Sequence, residues 1–303
     1  PFTAPTRFKE AYQTNHAGKI LDWPVYEKVS NSPEEIAEIR ANYAALTAMC
    51  DEYFGNLLDW MDKTDAWKNT ALILTTDHGF LLGEHEWWGK NKMPYYEEIS
   101  HIPLMIAHPS LGSNAGNRVA SLTQTTDLMP TILEFYGISK PTEVTAHSLV
   151  NLMSGGQNCR QAAILGMFAG PICVTDGRYT FFKFPKDLNS DALPLYTVMP
   201  SHMENQFSIE ELQSSELVEP FNFTKGAPVI RMKMSPKIGE TGQECVSNWD
   251  GTSGLYDLKF DPGQQSPIQN ERVEVRLSEM LVDQLQLHDA PHEIYAHYGL
   301  EVR

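Results

Sequence analysis

From Ser32 to about Met61, the apolar positions Ile36, Ile39, Tyr43, Leu46, Cys50, Tyr53 and Leu57 recur at steps of three and four, which puts them on one face of a helix. Its start is written into Ser32-Pro33-Glu34-Glu35: Ser32 can cap the first turn, Pro33 suits the first helical position, and Glu35 closes a capping box. The period then changes. Asn69 to Thr76 is a short, β-prone apolar run bounded by Asp77-His78-Gly79 and reads as a buried strand; Ile102 to Ala107 reads as a second. Asp127 to Tyr136 returns to a helical pattern closed by Gly137. Helix and strand alternate, so residues 1–160 are expected to form an α/β domain, part of a mostly parallel sheet sandwiched by helices.

After about residue 160 the runs Gln161 to Phe168, Ile172 to Thr175 and Arg178 to Phe184 are β-prone, and Asp176-Gly177 between the last two is a hairpin signal. Leu255 to Leu258 resumes a strand, and Val273, Leu277, Met280 and Leu281 give a helix an apolar stripe that would cover one sheet face. A smaller antiparallel α+β domain is expected over 161–303. Within it, segment 187–248 is rich in Pro, Ser and Met and too long for an ordinary connector, so it is expected to wrap over the surface or the rim of a site.

Composition narrows the partners. The 303 residues carry 23 Lys plus Arg against 39 Asp plus Glu, a formal charge of −16. At roughly 150 residues per domain the length suggests about two domains, and 42% apolar with 20% charged residues describes a folded chain. The acidic balance argues against nucleic acid and anionic membrane surfaces, which require a Lys/Arg footprint. No apolar stretch approaches the roughly 18 residues that mark a membrane-spanning helix. Cys50, Cys159, Cys173 and Cys245 show neither zinc-ribbon nor thioredoxin-like spacing. The opening Pro1-Phe2-Thr3-Ala4-Pro5 has no initiator methionine and no leader pattern, so the chain is expected to be cut from something longer.

Ligands of open α/β sheets collect beyond the carboxyl ends of strands, where Asp77-His78-Gly79 falls. Neighbouring residues of an extended strand face opposite ways, so Asp77 and His78 could share one ion only if the chain turns there, which Gly79 permits. A carboxylate oxygen suits a hard divalent cation, and an imidazole widens the choice towards manganese or zinc. His85, His101 and His108 lie nearby and read first as hydrogen-bonded structural residues, with His85 also a candidate beside substrate. Trp87, Trp88, Tyr95 and Tyr96 could line a mouth or pack, and Glu97-Glu98 reads as a solvated pair before an anchor for Lys90.

Thr76-Asp77-His78-Gly79-Phe80-Leu81-Leu82-Gly83-Glu84-His85, then Trp88-Gly89-Lys90, then Tyr96-Glu97-Glu98 and Ile102-Pro103-Leu104 follow in an order that resembles the sulfatase family of the alkaline-phosphatase superfamily. Further blocks extend the resemblance over most of the chain: Asn42-Tyr43 to Leu58, Thr126 to Thr131, Val174 to Tyr179, Leu255 to Leu258 and Asp261-Pro262-Gly263. The resemblance implies an enzyme that hydrolyses sulfate esters, on a sulfated small molecule or carbohydrate, with a divalent metal, usually calcium, and a formylglycine made from cysteine. By carry-over Asp77 and His78 are metal ligands. Lys90, or alternatively Lys92, contacts the sulfate oxygens, and a periplasmic or secreted location follows the family.

The family nucleophile sits in Cys-x-Pro-x-Arg, and none of the four cysteines has that context. The paired aspartates that complete the family's metal shell also have no counterpart before Asp51. The expectation is therefore a carboxyl-terminal part of a sulfatase, whose formylglycine lies in a missing amino-terminal half. Thr3-Ala4-Pro5-Thr6-Arg7 mimics the nucleophile motif with threonine but better matches the stretch after an active-site histidine in sulfatases. The rival readings are a metal-dependent phosphonate or phosphodiester hydrolase of the same superfamily, and a non-catalytic half.

Overall fold

The computed structural model describes residues 1–90, 94–114, 116–157, 160–167, 169–187, 193–203, 205–233 and 252–302. They gather into two compact units, Pro1–Asn117 and Arg118–Arg303. The domain boundary expected at residue 160 thus falls inside the second unit. Residues on either side of it are bonded to each other there: the Gln124 amide donates to the Ile164 carbonyl at 3.1 Å, and buried Arg160 pairs with buried Asp127.

The first unit opens with one helical turn, α1 (Thr6–Lys9), followed by the 32-residue α2 (Pro33–Thr64). The capping box of α2 is formed as its sequence requires: Ser32 Oγ accepts from the Glu35 N–H, and the Glu35 carboxylate accepts from the Ser32 N–H. Its apolar face is only partly used. Ile39 is buried with Phe2 and Trp88, and Ile36, Tyr43 and Leu46 pack on them, whereas Cys50, Tyr53 and Leu57 further along the same stripe are exposed.

Four short strands follow: β1 (Leu72–Thr75), β2 (Leu81–Leu82), β3 (Trp88–Gly89) and, after the one-turn α3 (Glu97–Ser100), β4 (Leu104–Ala107). β2 and β3 form a hairpin, and β1 pairs with β4 antiparallel, Leu72 opposite Ala107. The parallel relation expected of the sheet therefore does not hold between these two strands. A parallel return usually runs through a crossover helix, and among the described residues of 76–103 there are a hairpin with a 3-10 turn at Glu84–Glu86 and the single turn of α3.

The second unit contains α4 (Leu128–Phe135), closed by Gly137 in the left-handed region, and α5 (Val150–Met153). A four-stranded antiparallel sheet follows, built from β5 (Ala163–Gly166), β6 (Ile172–Thr175), β7 (Tyr179–Lys183) and a last strand, Gly254–Asp257, that lies beside β7. The β6–β7 hairpin turns at Asp176-Gly177 as expected, with Gly177 at φ +88° and the Asp176 carboxylate accepting from the Arg178 and Tyr179 N–H groups.

Segment 187–248 is more ordered than its composition suggests. Its described part holds β8 (Pro194–Thr197), α6 (Ile209–Ser214), β9 (Glu216–Val218) and β10 (Val229–Lys233), with β10 central in a three-stranded antiparallel sheet; residues 234–248 lie outside the described residues. The strand at Gly254–Asp257 is β11, followed by α7 (Glu271–Leu287) and α8 (His292–Tyr298). Leu277, Leu281, Val282 and Leu285 of α7 are buried in one cluster with Val174, Phe181 and Leu255 of the four-stranded sheet, which realises the expected stripe on a sheet face. Each such side chain contributes about 1.5–3 kcal/mol by burial.

Candidate functional site

The site is built by the turn that leaves β1. Gly79 passes so close to α3 that its N–H donates to the Ile99 carbonyl at 2.8 Å, and a Cβ at this position would lie 1.8 Å from the Glu98 carbonyl oxygen. Only glycine fits here, and the chain bends at Asp77, where Asp77 Oδ2 and His78 Nε2 come to 3.2 Å apart.

His78 has a fixed tautomer. Its Nδ1 lies 2.8 Å from the Gly79 carbonyl, an acceptor only, so Nδ1 carries the proton and the neutral ring keeps its lone pair on Nε2. That lone pair meets Lys90 Nζ at 2.7 Å. Asp77 is largely exposed and accepts from the His78 N–H at 3.0 Å and from the Thr76 hydroxyl at 3.3 Å. Desolvation pulls its carboxyl up, yet the attraction of the His78 ring when that ring is protonated, with the backbone N–H and Thr76 hydroxyl donors, outweighs this and holds it below the usual carboxylate range.

A carboxylate oxygen and an imidazole nitrogen at this separation suit a borderline divalent cation better than calcium alone, which prefers an all-oxygen shell. Two donors do not complete a shell, and no cluster of three or more His, Cys, Asp or Glu that could hold a metal occurs among the described residues. The residues present therefore fit as one side of a cation site.

His85 is set apart from that pair. It adopts φ +52°, its ring stacks on Tyr96 at a centroid distance of 3.6 Å, and its Nε2 lies 3.3 Å from Glu98 Oε2. Glu98 is consequently no solvated surface group. Burial raises its carboxyl, and the hydrogen bond from His85 together with backbone donors brings it below the ordinary range. Glu97 instead bonds His101 at 2.7 Å, and His108 bonds Ser110, as expected of structural histidines. Trp87 and Trp88 are buried, with Trp88 Nε1 donating to Asn31 at 2.9 Å, so they pack and do not form a mouth. Thr3 is exposed, donates to Asp22 at 3.1 Å and precedes only the single turn of α1. Lys92 lies outside the described residues.

Beside Lys90 is a group of aromatics that the sequence did not mark. Gly89, at φ +110°, abuts the ring of Tyr26, which packs on Phe80 at 5.5 Å and on Trp23 at 5.6 Å; Phe2 closes the group against Trp23, Tyr43 and Phe80. Burial pushes the Tyr26 phenol above its ordinary range. These residues come from a loop without periodicity, and only the contact with Gly89 shows their relation to the site.

The fold is α/β, with small antiparallel sheets and the turn at Asp77-His78-Gly79 at the end of β1. A solved structure of a protein in complex with its substrate D-glucosamine-2-N,6-O-disulfate shares the fold, with a TM-score of 0.57 and 19% identity over 84% of this chain and 42% of that one. The sulfatase family model matches residues 1–138, and the model described as N-sulphoglucosamine sulphohydrolase, C-terminal, matches residues 83–217. Residues 1–138 thus carry a sulfatase-family domain. It is 35% identical over 136 residues to arylsulfatase K of Xenopus laevis, covering 44% of this chain and 25% of that protein. It is 36% identical over 108 residues to N-acetylglucosamine-6-O-sulfatase of Bacteroides thetaiotaomicron, covering 36% of this chain and 19% of that protein. The chain thus spans about a quarter or less of the length of these curated relatives.

Proposed function

We propose that this chain is part of a metal-dependent sulfatase that hydrolyses a sulfate ester of a sugar, with Asp77 and His78 as ligands of the divalent cation and Lys90 as the contact to the sulfuryl oxygens. The observation that carries the reading is the convergence of Asp77 Oδ2 and Lys90 Nζ on one ring nitrogen of His78, at 3.2 Å and 2.7 Å. The sugar is supported by two relatives, one named for a 6-O-sulfated N-acetylglucosamine and one solved with a disulfated glucosamine.

A bound divalent cation, calcium by family and manganese or zinc by donor chemistry, would act as a Lewis acid towards sulfuryl oxygens. The chain's own residues prepare the place. The Gly79 carbonyl fixes the His78 tautomer so that Nε2 faces the ion, as carbonyl partners do for ligating histidines. Asp77, ionised throughout the neutral range, supplies the negative charge. Lys90, just after Gly89 at the strand end, presents an ammonium to the monoanionic sulfate ester and stabilises charge that grows in the transition state. The formylglycine nucleophile belongs to sequence outside this chain, since no Cys-x-Pro-x-Arg occurs in it.

The test uses the full-length protein that contains this chain. Sulfate release from glucosamine 6-sulfate is expected to depend on added calcium or manganese, to stop with a chelator, and to fall at least on the order of 10²-fold in Asp77→Asn and in His78→Ala. Faster turnover of a phosphonate monoester would transfer the reading to phosphoryl chemistry. A folded full-length protein that turns over neither would leave a non-catalytic member of the family.

A further inference from the structure

We infer that His85 is a positioning residue of the site, an inference that rests on the proposed sulfatase reading: His85 grips α3, and α3 holds the Gly79 backbone that orients His78 towards Lys90 and a cation. The His85 side chain is 7% exposed and meets one helical turn at two points. Its ring stacks on Tyr96, the residue that leads into α3, at a centroid distance of 3.6 Å and an interplanar angle of 4°. Its Nε2 lies 3.3 Å from Oε2 of Glu98, within α3.

α3 depends on such support. A single turn fixes several backbone angles for very few hydrogen bonds, so four residues do not hold a helical shape unaided, and no side chain caps the start of this one. Ile99, 2% exposed, and Ser100 Oγ, which donates to the Tyr96 carbonyl at 3.0 Å, steady the turn from within. His85 steadies it from the β2–β3 hairpin, at whose tip His85 and Glu86 both take left-handed φ values of +52° and +61°.

The contacts close a circuit through the site. From His85 it passes to Glu98 and α3; there the Ile99 carbonyl accepts the Gly79 N–H at 2.8 Å, and the Glu98 carbonyl occupies the space a Cβ of residue 79 would need. The Gly79 carbonyl holds His78 Nδ1 at 2.8 Å, and His78 Nε2 meets Lys90 Nζ at 2.7 Å. Lys90 follows Gly89 of β3, and Gly89 pairs with Leu81 of β2, so the circuit returns to the hairpin that bears His85. The partner that orients a ligating histidine sets how well it binds its metal. Here that partner is a main-chain carbonyl, which a side-chain substitution can only displace. The orientation of His78 therefore depends on whatever anchors Gly79, and His85 ties that anchor to the strand that delivers Lys90.

The test uses the full-length protein and three measurements: deuterium exchange, calorimetry with calcium or manganese, and hydrolysis of glucosamine 6-sulfate. In His85→Ala, uptake over residues 77–80 is expected to quicken roughly tenfold while uptake across α2 keeps the parent's rate. Cation affinity is expected to fall about tenfold and kcat by about tenfold or more, with KM within about twofold. His85→Gln keeps a side-chain N–H for Glu98 and is expected to restore most of all three. Glu98→Ala, which leaves the hairpin intact and carries the test if His85→Ala does not fold, is expected to reproduce the loss, and the double variant to add little to either single. Unchanged uptake over 77–80, uptake raised equally in α2, quickened uptake with parental cation affinity and kcat, or no rescue by His85→Gln overturns the positioning role. A raised KM at parental kcat also overturns it and makes His85 a substrate contact. A parent that binds no cation and releases no sulfate fails the sulfatase reading instead, and the exchange comparison among the variants then decides the role of His85 on its own.

Discussion

The Lys90 ammonium lies 2.7 Å from Nε2 of His78, the imidazole nitrogen left with its lone pair by the Nδ1–H bond to the Gly79 carbonyl. One lone pair serves one partner at a time, so Lys90 and a cation compete for the same atom. Lys90→Met is expected to tighten calcium or manganese binding to the full-length protein by roughly tenfold, because one unit charge at contact range is removed from the ion's surroundings. The same variant should lose on the order of 10²-fold or more in sulfate release, because the anion loses its ammonium. Calorimetry and the hydrolysis assay read these opposite effects on one sample, and a variant weakened in both would contradict the competition.

Gly79→Ala is expected to cost ~3 kcal/mol or more, above the usual range for an added methyl group, because the opposing atom is backbone and cannot turn aside. The Cβ would fall 1.8 Å from the Glu98 carbonyl oxygen and break the Gly79–Ile99 hydrogen bond. Denaturant unfolding measures the loss. Stability equal to the parent's would mean that the turn does not press on α3.

In the second unit, Asp127 is buried with Arg160 on one carboxylate oxygen, which also accepts from the His147 N–H at 2.9 Å; the other accepts from the Gln124 N–H at 2.8 Å. Arg160→Met strands that carboxylate and is expected to destabilise by about 3–5 kcal/mol. Adding Asp127→Leu should recover part of the loss, and a double variant as unstable as the sum of the two singles would show that the residues act independently.

Glu143 carries the clearest pH signature. The hydrogen bond from Lys225, aided by backbone and Thr142 donors, holds its carboxyl at about 2 against an ordinary value of 4.5. Because the folded value is the lower one, the stabilisation is complete above about pH 4.5 and drains away as pH falls towards 2. Side-chain carbon NMR of Glu143 should show the low midpoint, and Lys225→Met should return it most of the way to 4.5. High salt should do so in part, since the Lys225 end of the pair is in solvent.

What could be read from sequence was what is decided locally. Ser32, Pro33 and Glu35 determine the start of α2 within one turn, and Asp176-Gly177 determines a hairpin within four residues. The Asp77-His78 pair could be suspected because two adjacent donors need only a local bend to reach one side. The pairing of β1 with β4 was not legible, since the hydrophobic period of a strand does not name its neighbour or direction. The strands β8 to β10 escaped notice because they are three to five residues long among prolines and serines. The anchoring of His85 by Glu98 depends on a left-handed backbone at His85, which no side-chain pattern announces.

The bonds that shape the site span short lengths of chain. His78 meets Lys90 across 12 residues and His85 meets Glu98 across 13. Closing loops of this length costs little more entropy than forming a long hairpin, so the elements bearing Asp77, His78 and Lys90 have low contact order. In folding, the stretch bearing Asp77, His78 and Lys90 then assembles early and from its own segment, ahead of the long-range packing of Phe2 on α2. The order matters for any protein synthesised from its amino end: the turn bearing these side chains closes as soon as its stretch of chain emerges, without waiting for the sheet of the second unit.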